Sequence, residues 1–485
     1  MAKELNRLSP LMKFSFGFGQ LSEGIKTSAF SMFLLLFYNQ VLGVSGTLCG
    51  IALAIAVLFD ALSDPLVGNL SDGWRSRLGR RHPFLYASAI PMAVFFFLLF
   101  NPPNVGEFAL FAWLLAFTIL SRTAMTFFSV PHLTLGAELS SDFHERTALA
   151  AWKQFFGAVG YICVFVLGFV VFFAPTKEHP NGQLNPAAYE PFTAWLALLI
   201  VLSILASAAG THKAIDRLQK SSVTQRFSWR GVFGDCISAL RNDSFAPLLF
   251  GFAVIVAAGS AAAALILYMM TFFWQLESES IFVVLMASPA GGMAAYATSR
   301  QFFARFDKRL GVMVGGLVWF AGHALIVPVY LAGWLPELGS SALTACIAFS
   351  YAFAAYGIGQ VLVGVGTMIA DIVDQHELDS KRRMEGTFYG VFSFLYKASV
   401  AIGSLVSGFL LDLIGWPAGG SIRTAADVQS QTIEMLGIVY GPLVGILALP
   451  SLFLISRYRL NRDDHQKILN ALAERREADA NLAGQ

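Results

Sequence analysis

"LFDALSDPLVGNLSDGWRSRLGRRHPF", Leu58 to Phe84, decides the reading of this chain. Asp60 and Asp64 stand four residues apart inside an apolar run, and Arg75, Arg77, Arg80 and Arg81 follow it. An i, i+4 pair shares one face of a helix. Ionisable side chains inside a membrane span cost about 2.5–3.5 kcal/mol each on insertion scales and are functional candidates by default. Two carboxylates on one face also repel each other. Three arrangements relieve them: a cation between the two, a proton on one, or a basic partner. Each is something an ion-coupled transporter needs. The bland form of the third is a static ion pair with Lys26, Arg122 or Lys397. Pro65 lacks an N–H, so the carbonyl of Ala61 loses its helical partner and is left to ligate an ion or to mark a kink.

The composition supplies the membrane. Of 485 residues, 56% are hydrophobic and only 13% are charged, against about 25% charged in soluble domains. A net charge of +2 gives no global basic field, so nucleic acid is not an expected partner. Cys49, Cys163, Cys236 and Cys346 show no metal-ligand spacing and read as packing residues. The polar start "MAKELNRLSP" is not followed by a cleavable leader, so the first apolar segment reads as a retained span.

A membrane helix needs about 20 mostly apolar residues. Twelve stretches qualify, six between Phe14 and Gly210 and six between Phe245 and Ile455. The fold class expected is an all-α membrane protein with twelve transmembrane helices in two six-helix bundles, residues 1–210 and 245–456. A cytoplasmic linker, 211–244, joins them, and residues 457–485 form a cytoplasmic tail. Lys and Arg set the orientation. With both ends inside, the inner loops hold Arg75–Arg81, Arg146, a basic linker, Arg300–Arg309 and Lys381–Arg383, while the outer loops hold only Lys177 and Arg423. Within the tail, Ile468, Leu469 and Leu472 form a small apolar stripe. The loop "GNLSDGWRSRLGRR" and its counterpart "ATSRQFFARFDKRLG" each follow the second helix of a half, a weak repeat of the kind transporters carry.

Other charges within apolar stretches are Glu23, Lys26, Arg122, Lys153 and Lys397. Arg122 shares a helical stripe with Thr126 and Ser129. Asp72, with Arg75, Arg80 and Arg81, is placed to act as an ionic latch between conformations. His323 reads as a helix-packing histidine. No HExxH or GxSxG pattern is present, and no nucleophile stands at sensible spacing from a base. The chain is therefore not expected to be an enzyme, to bind a cofactor, or to hold a metal other than a coupling Na⁺ at Asp60 and Asp64.

The stretch "DALSDPLVGNLSDGWRSRLGRRHPF" resembles the signature of the glycoside–pentoside–hexuronide:cation symporters, the melibiose permease-like branch of the major facilitator superfamily. "FGFGQLSEGIKTSAFSMFLLLFYNQVLG", "VPHLTLGAELSSDFHERTAL" and "MIADIVDQHELDSKRRMEGTFYGVFSFLYKASVAIGSLVSGFLLDLIGW" are similar to its first, fourth and tenth-to-eleventh helix regions. The resemblance implies an alternating-access symporter of the bacterial inner membrane. It places the cation site at Asp60, Asp64 and Thr126, with Lys397 near it. Ser63 replaces the amide that precedes the second aspartate, which leaves H⁺ and Na⁺ both open as the coupling ion. The sugar pocket departs from the family. Gly24 and Ser129 stand where carboxylates are expected, Leu133 and Leu362 where tryptophans are, and Gln154, beside Lys153, where an arginine is. Glu23, Lys26, Arg122, Ser129, Lys153, Gln154 and Lys397 are the substrate-binding candidates. Their excess of cations makes an anionic substrate such as a glycosiduronate one expectation. A lipid-type or other non-sugar amphiphile, or a non-transporting sensor on the same fold, are the alternatives. The expected partners are a small-molecule substrate, a coupling cation and the bilayer, with the chain as a monomer.

Overall fold

The computed structural model describes residues 8–140, 142–217, 238–382, 384–420 and 422–483. Most of the basic linker, including Lys220, Arg226, Arg230 and Cys236, lies outside the described residues, as does Arg383. The described residues are helical, without strands. Eleven helices among them are long and apolar enough to cross a membrane. The first expected span is present but broken. It is built from α1 (Pro10–Phe18), α2 (Gln20–Leu35) and a π-helical turn (Leu36–Val41), with Gly19 at the joint.

The remaining spans of the N-terminal part are α3 (Gly46–Gly73), α4 (His82–Leu99), α5 (Glu107–Glu138), α6 (Phe143–Phe165) with a π turn to Phe172, and α7 (Pro186–Thr211). Then come α8 (Phe245–Tyr268), α9 (Ser278–Arg305), α10 (Lys308–Ala324), α11 (Ile326–Leu331), α12 (Ser341–Ser380) and α13 (Glu385–Leu413). The last span is assembled from α14 (Ser430–Ile438), a π turn, α15 (Val444–Ala448) and α16 (Pro450–Ser456), and α17 (Arg462–Ala483) follows.

The chain forms two compact units. The first holds residues 1–227, 260–282 and 400–436; the second holds 228–259, 283–399 and 437–485. In the first unit α3 and α4 pack along α5, and α2 packs along α6. Lipid tails are as apolar as leucine, so close backbone approach replaces hydrophobic exclusion as the packing force. A Cβ on Gly24 would sit 2.2 Å from the carbonyl oxygen of Gly157. No side chain fits there, which accounts for the missing acid at this position.

At the end of the first unit opposite the Arg75–Arg81 loop, residues 400–436 close onto α3. Asp412 accepts from the backbone N–H groups of Gly46 (2.9 Å) and Thr47 (2.8 Å) and from the Ser45 hydroxyl (2.8 Å). A carboxylate at a helix N-terminus meets orphan donors and the positive end of the helix dipole. The side chains of Trp416 and Gln40, and of Tyr268 and Asn39, are joined by hydrogen bonds of 2.7 Å. A Cβ on Gly408 would lie 2.0 Å from the Gly46 oxygen.

In the second unit α10 packs along α12. Ile468 and Leu472 of α17 are buried in the core that contains Phe245, Met368, Phe388 and Tyr458. The apolar stripe of the tail therefore docks on protein. His323 Nε2 lies 2.8 Å from the Tyr440 carbonyl oxygen and stacks on Trp319, a satisfied packing histidine.

Candidate functional site

Helix α3 carries Asp60 and Asp64, and α5 carries Thr126 across from them. The Thr126 hydroxyl lies 2.9 Å from Asp60 Oδ1 and 3.1 Å from Asp64 Oδ1. One hydroxyl has one proton and donates to one carboxylate at a time. The two carboxylates therefore compete for this proton. Asp60 is buried and Asp64 half-buried. Their spacing on one turn of α3 and the packing of α3 on α5 create this three-residue cluster.

Ser63 is buried beside them, but its hydroxyl donates to the Asp60 main-chain carbonyl at 3.1 Å. Its proton is turned into the helix; only its oxygen lone pairs remain for a cation.

Arg122, one turn before Thr126 on α5, provides a nearby positive charge. Its Nη1 is 3.6 Å from Asp60 Oδ2, and its guanidinium lies 5.6 Å from the centre of the Phe30 ring on α2. That separation is an ion pair and not a hydrogen bond. The Nε is buried without a partner, and Arg122 makes no hydrogen bond among the described residues. Glu23 and Lys26 form their own ion pair at 2.8 Å, with the Thr27 hydroxyl 3.4 Å from the same Glu23 oxygen. The other oxygen of Glu23 is buried without a partner.

The remaining candidates are more dispersed. Ser129 and Lys153 are half-buried, and Gln154 is exposed. None of the three makes a hydrogen bond or ion pair among the described residues. Lys397 lies half-buried on α13 in the second unit. Leu133 and Leu362 are both exposed on their helices.

The latch candidates resolve into a network with a member the sequence reading missed, Glu138. Arg81 is buried, and its guanidinium reaches Asp72 Oδ1 (2.5 Å), Glu138 Oε1 (2.8 Å) and the Ser71 hydroxyl (2.7 Å). Arg80 reaches the same Glu138 oxygen at 3.0 Å. Arg75 is exposed and makes no ion pair among the described residues, whereas Asp72, Arg80 and Arg81 all take part in the network. The available signal was a carboxylate at the end of the fourth span, opposite arginines at the start of the third. The second unit repeats the device: Lys308, at the start of α10, pairs with Asp371 on α12 at 2.7 Å. His465 of α17 lies 3.4 Å from Asp371 and 3.2 Å from Asp374. The faint sequence repeat between the two basic loops thus corresponds to a repeated ion pair.

Several known proteins are similar to this chain. An isoprimeverose transporter of Lactiplantibacillus pentosus is 23% identical, over 89% of this chain and 85% of that protein. A glucuronide carrier protein homolog of Escherichia coli strain K12 is 23% identical, over 91% of this chain and 89% of that protein. The crystal structure of the nucleoside transporter NupG superposes with a TM-score of 0.64 at 14% identity, covering 92% of this chain and 99% of that one, which shows a common fold. The family described as MFS/sugar transport protein matches residues 15–462. That match runs from within α1 through α16 and includes Asp60, Asp64, Arg122 and Thr126. The chain is a multi-pass integral membrane protein and a transporter, not an enzyme, and it belongs to the MFS/sugar transport protein family.

Proposed function

We propose that this protein is a secondary active transporter that couples entry of H⁺ or Na⁺ to symport of a glycoside or related sugar in anionic form, such as a glycosiduronate. The observation that carries the reading is the Asp60–Thr126–Asp64 cluster with Arg122 beside it. Two carboxylates around one hydroxyl are a natural seat for a small cation or a proton. A guanidinium that makes no hydrogen bond holds five N–H donors ready for an oxyanion. The names of the isoprimeverose transporter and the glucuronide carrier homolog support a sugar-type cargo.

In this reading a cation neutralises the aspartate pair, and substrate binds among Glu23, Lys26, Arg122, Ser129, Lys153 and Gln154. The two six-helix halves, 1–210 and 245–456, then rock to expose the site to the other side. The ion network of Asp72, Arg80 and Arg81, with Glu138, belongs to one conformation of that cycle. Both termini face the cytoplasm, and the membrane is the bacterial inner membrane.

The test is uptake into energised membrane vesicles. The panel contains neutral glycosides, glycosiduronates and a lysolipid, each driven by a Na⁺ gradient or by a pH gradient, with Asp60→Asn beside the wild type. Gradient-driven uptake of a glycosiduronate that disappears in Asp60→Asn supports the proposal. Uptake of neutral glycosides alone, without competition by acidic ones, rejects the anionic substrate. Gradient-driven uptake that survives in Asp60→Asn rejects the cation site.

A further inference from the structure

We propose that Arg122 is a counter-ion shared between the coupling-ion site and the substrate: the cation displaces it from Asp60, and the freed guanidinium then clamps an oxyanion of the substrate. The inference deepens the proposed function and rests on it for the identity of the two ligands.

Arg122 is half-buried, its side chain 15% exposed, and its Nε is buried without a partner; a guanidinium donor that loses water ordinarily gains a hydrogen bond in exchange. Here its contacts are one ion pair to Asp60 Oδ2, at a length beyond hydrogen bonding, and the face of Phe30. Phe30 holds the plane of the fork without using an N–H. The acids around it are not equivalent. Asp60 and Asp64 share the Thr126 hydroxyl. Glu23 is already paired with Lys26. Asp60 is therefore the acid whose charge Arg122 answers directly.

The consequence follows from Coulomb's law. In the cation-free site Arg122 is attracted to Asp60, and the two aspartates repel any incoming anion. A cation or proton at the pair cancels that attraction and that repulsion together. The planar fork is then free to take a carboxylate or sulfonate in two parallel hydrogen bonds. Binding of the cation and of the anion becomes mutually favourable, and by linkage each tightens the other by the same factor. A neutral glycoside offers no such partner and gains less from the cation.

The experiment uses the full-length protein in lipid nanodiscs. Binding is followed by calorimetry for Na⁺, for 4-nitrophenyl β-D-glucuronide and for the neutral 4-nitrophenyl β-D-glucoside, at several pH values so that protons are tested as the alternative cation. In the wild type, saturating cation should tighten glucuronide binding about tenfold or more and the glucoside by less. Arg122→Gln removes a competing positive charge, so without any glycoside it should bind the cation about tenfold more tightly, while losing the glucuronide. Arg122→Lys keeps the charge and loses the fork. It should hold the wild-type cation affinity within about threefold and still lose most glucuronide affinity. Asp60→Asn frees Arg122 permanently and should bind glucuronide with no dependence on cation. Thermal unfolding of each variant separates these effects from misfolding, with Arg122→Lys the conservative form.

Unchanged cation affinity in Arg122→Gln would overturn the shared counter-ion, as would cation-dependent or absent glucuronide binding in Asp60→Asn. Wild-type protein that binds the cation but neither glycoside rejects the substrate reading, and the Arg122→Gln cation affinity then judges the counter-ion separately.

Discussion

Glu138→Ala offers a direct test of the ion network at the ends of α3, α4 and α5. One oxygen of Glu138 serves two guanidiniums, those of Arg80 at 3.0 Å and Arg81 at 2.8 Å. The Arg81 side chain is only 3% exposed and that of Glu138 19%. Removing one partner of a buried ion pair costs about 3–5 kcal/mol, because the other charge is left uncompensated. Two features lower that figure here. Arg81 keeps Asp72, although that side chain is 58% exposed and screened, and it keeps the Ser71 hydroxyl. The expected loss is thus about 2–3 kcal/mol. Thermal unfolding of the purified protein in nanodiscs should show a midpoint a few degrees below wild type. The double variant Arg81→Met/Glu138→Leu supplies the control. It removes both charges, so it should lose less than Glu138→Ala alone. A midpoint for Glu138→Ala within error of wild type would refute the reasoning and show that solvent, not Glu138, satisfies Arg81.

Three further outcomes follow from the same geometry. Thr126→Val removes the hydroxyl that joins Asp60 and Asp64 and should change the half-saturating cation concentration for uptake by about tenfold or more, since hydrogen bonds to charged groups contribute about 1.5–3 kcal/mol; an unchanged cation dependence would remove Thr126 from the site. Gly408→Val cannot be accommodated against the Gly46 carbonyl and should part α3 from residues 400–436, read as a longer spin-label distance between Val105→Cys and Gln429→Cys with the native cysteines replaced by serine; an unaltered distance would mean that this contact does not hold the two segments together. In the loop after α13, hydrogen bonds from the backbone N–H groups of Arg423 and Thr424 hold the Asp427 carboxyl below its ordinary value of 3.8. Its contribution to loop order is therefore full above that value and is lost as pH falls through the lower folded value. Amide exchange at Arg423 and Thr424 should be faster in Asp427→Asn than in wild type at neutral pH, and equal rates would deny the cap.

The primary structure determined a great deal here because membrane insertion is a one-dimensional problem. Stretches of apolar residues long enough to span can be counted along the chain, and the helices match them, apart from breaks at Gly19, at Leu325 and in the last span that apolarity does not register. The cost of burying charge likewise marks Asp60, Asp64 and Arg122 from the apolar sequence around them. An i, i+4 spacing is a property of one helix, so the shared face of the two aspartates was legible as well.

What the chain could not determine by itself is which helices touch. The packing of α3 on α5 alone sets Thr126 between the two carboxylates and brings Arg122 to Asp60 but not to within a hydrogen bond. Glu138 went unread for the same reason: its partners stand 57 and 58 residues away. Asp412 finds the start of α3 across 366 residues. The rotamer of Ser63 turns its proton into the helix and leaves its oxygen lone pairs for a cation. Gly24 looked like a lost acid, yet it is the point where two backbones meet. Pairing energies depend on distances of a few ångströms between segments far apart in sequence, and only the tertiary packing of the helices decides those distances.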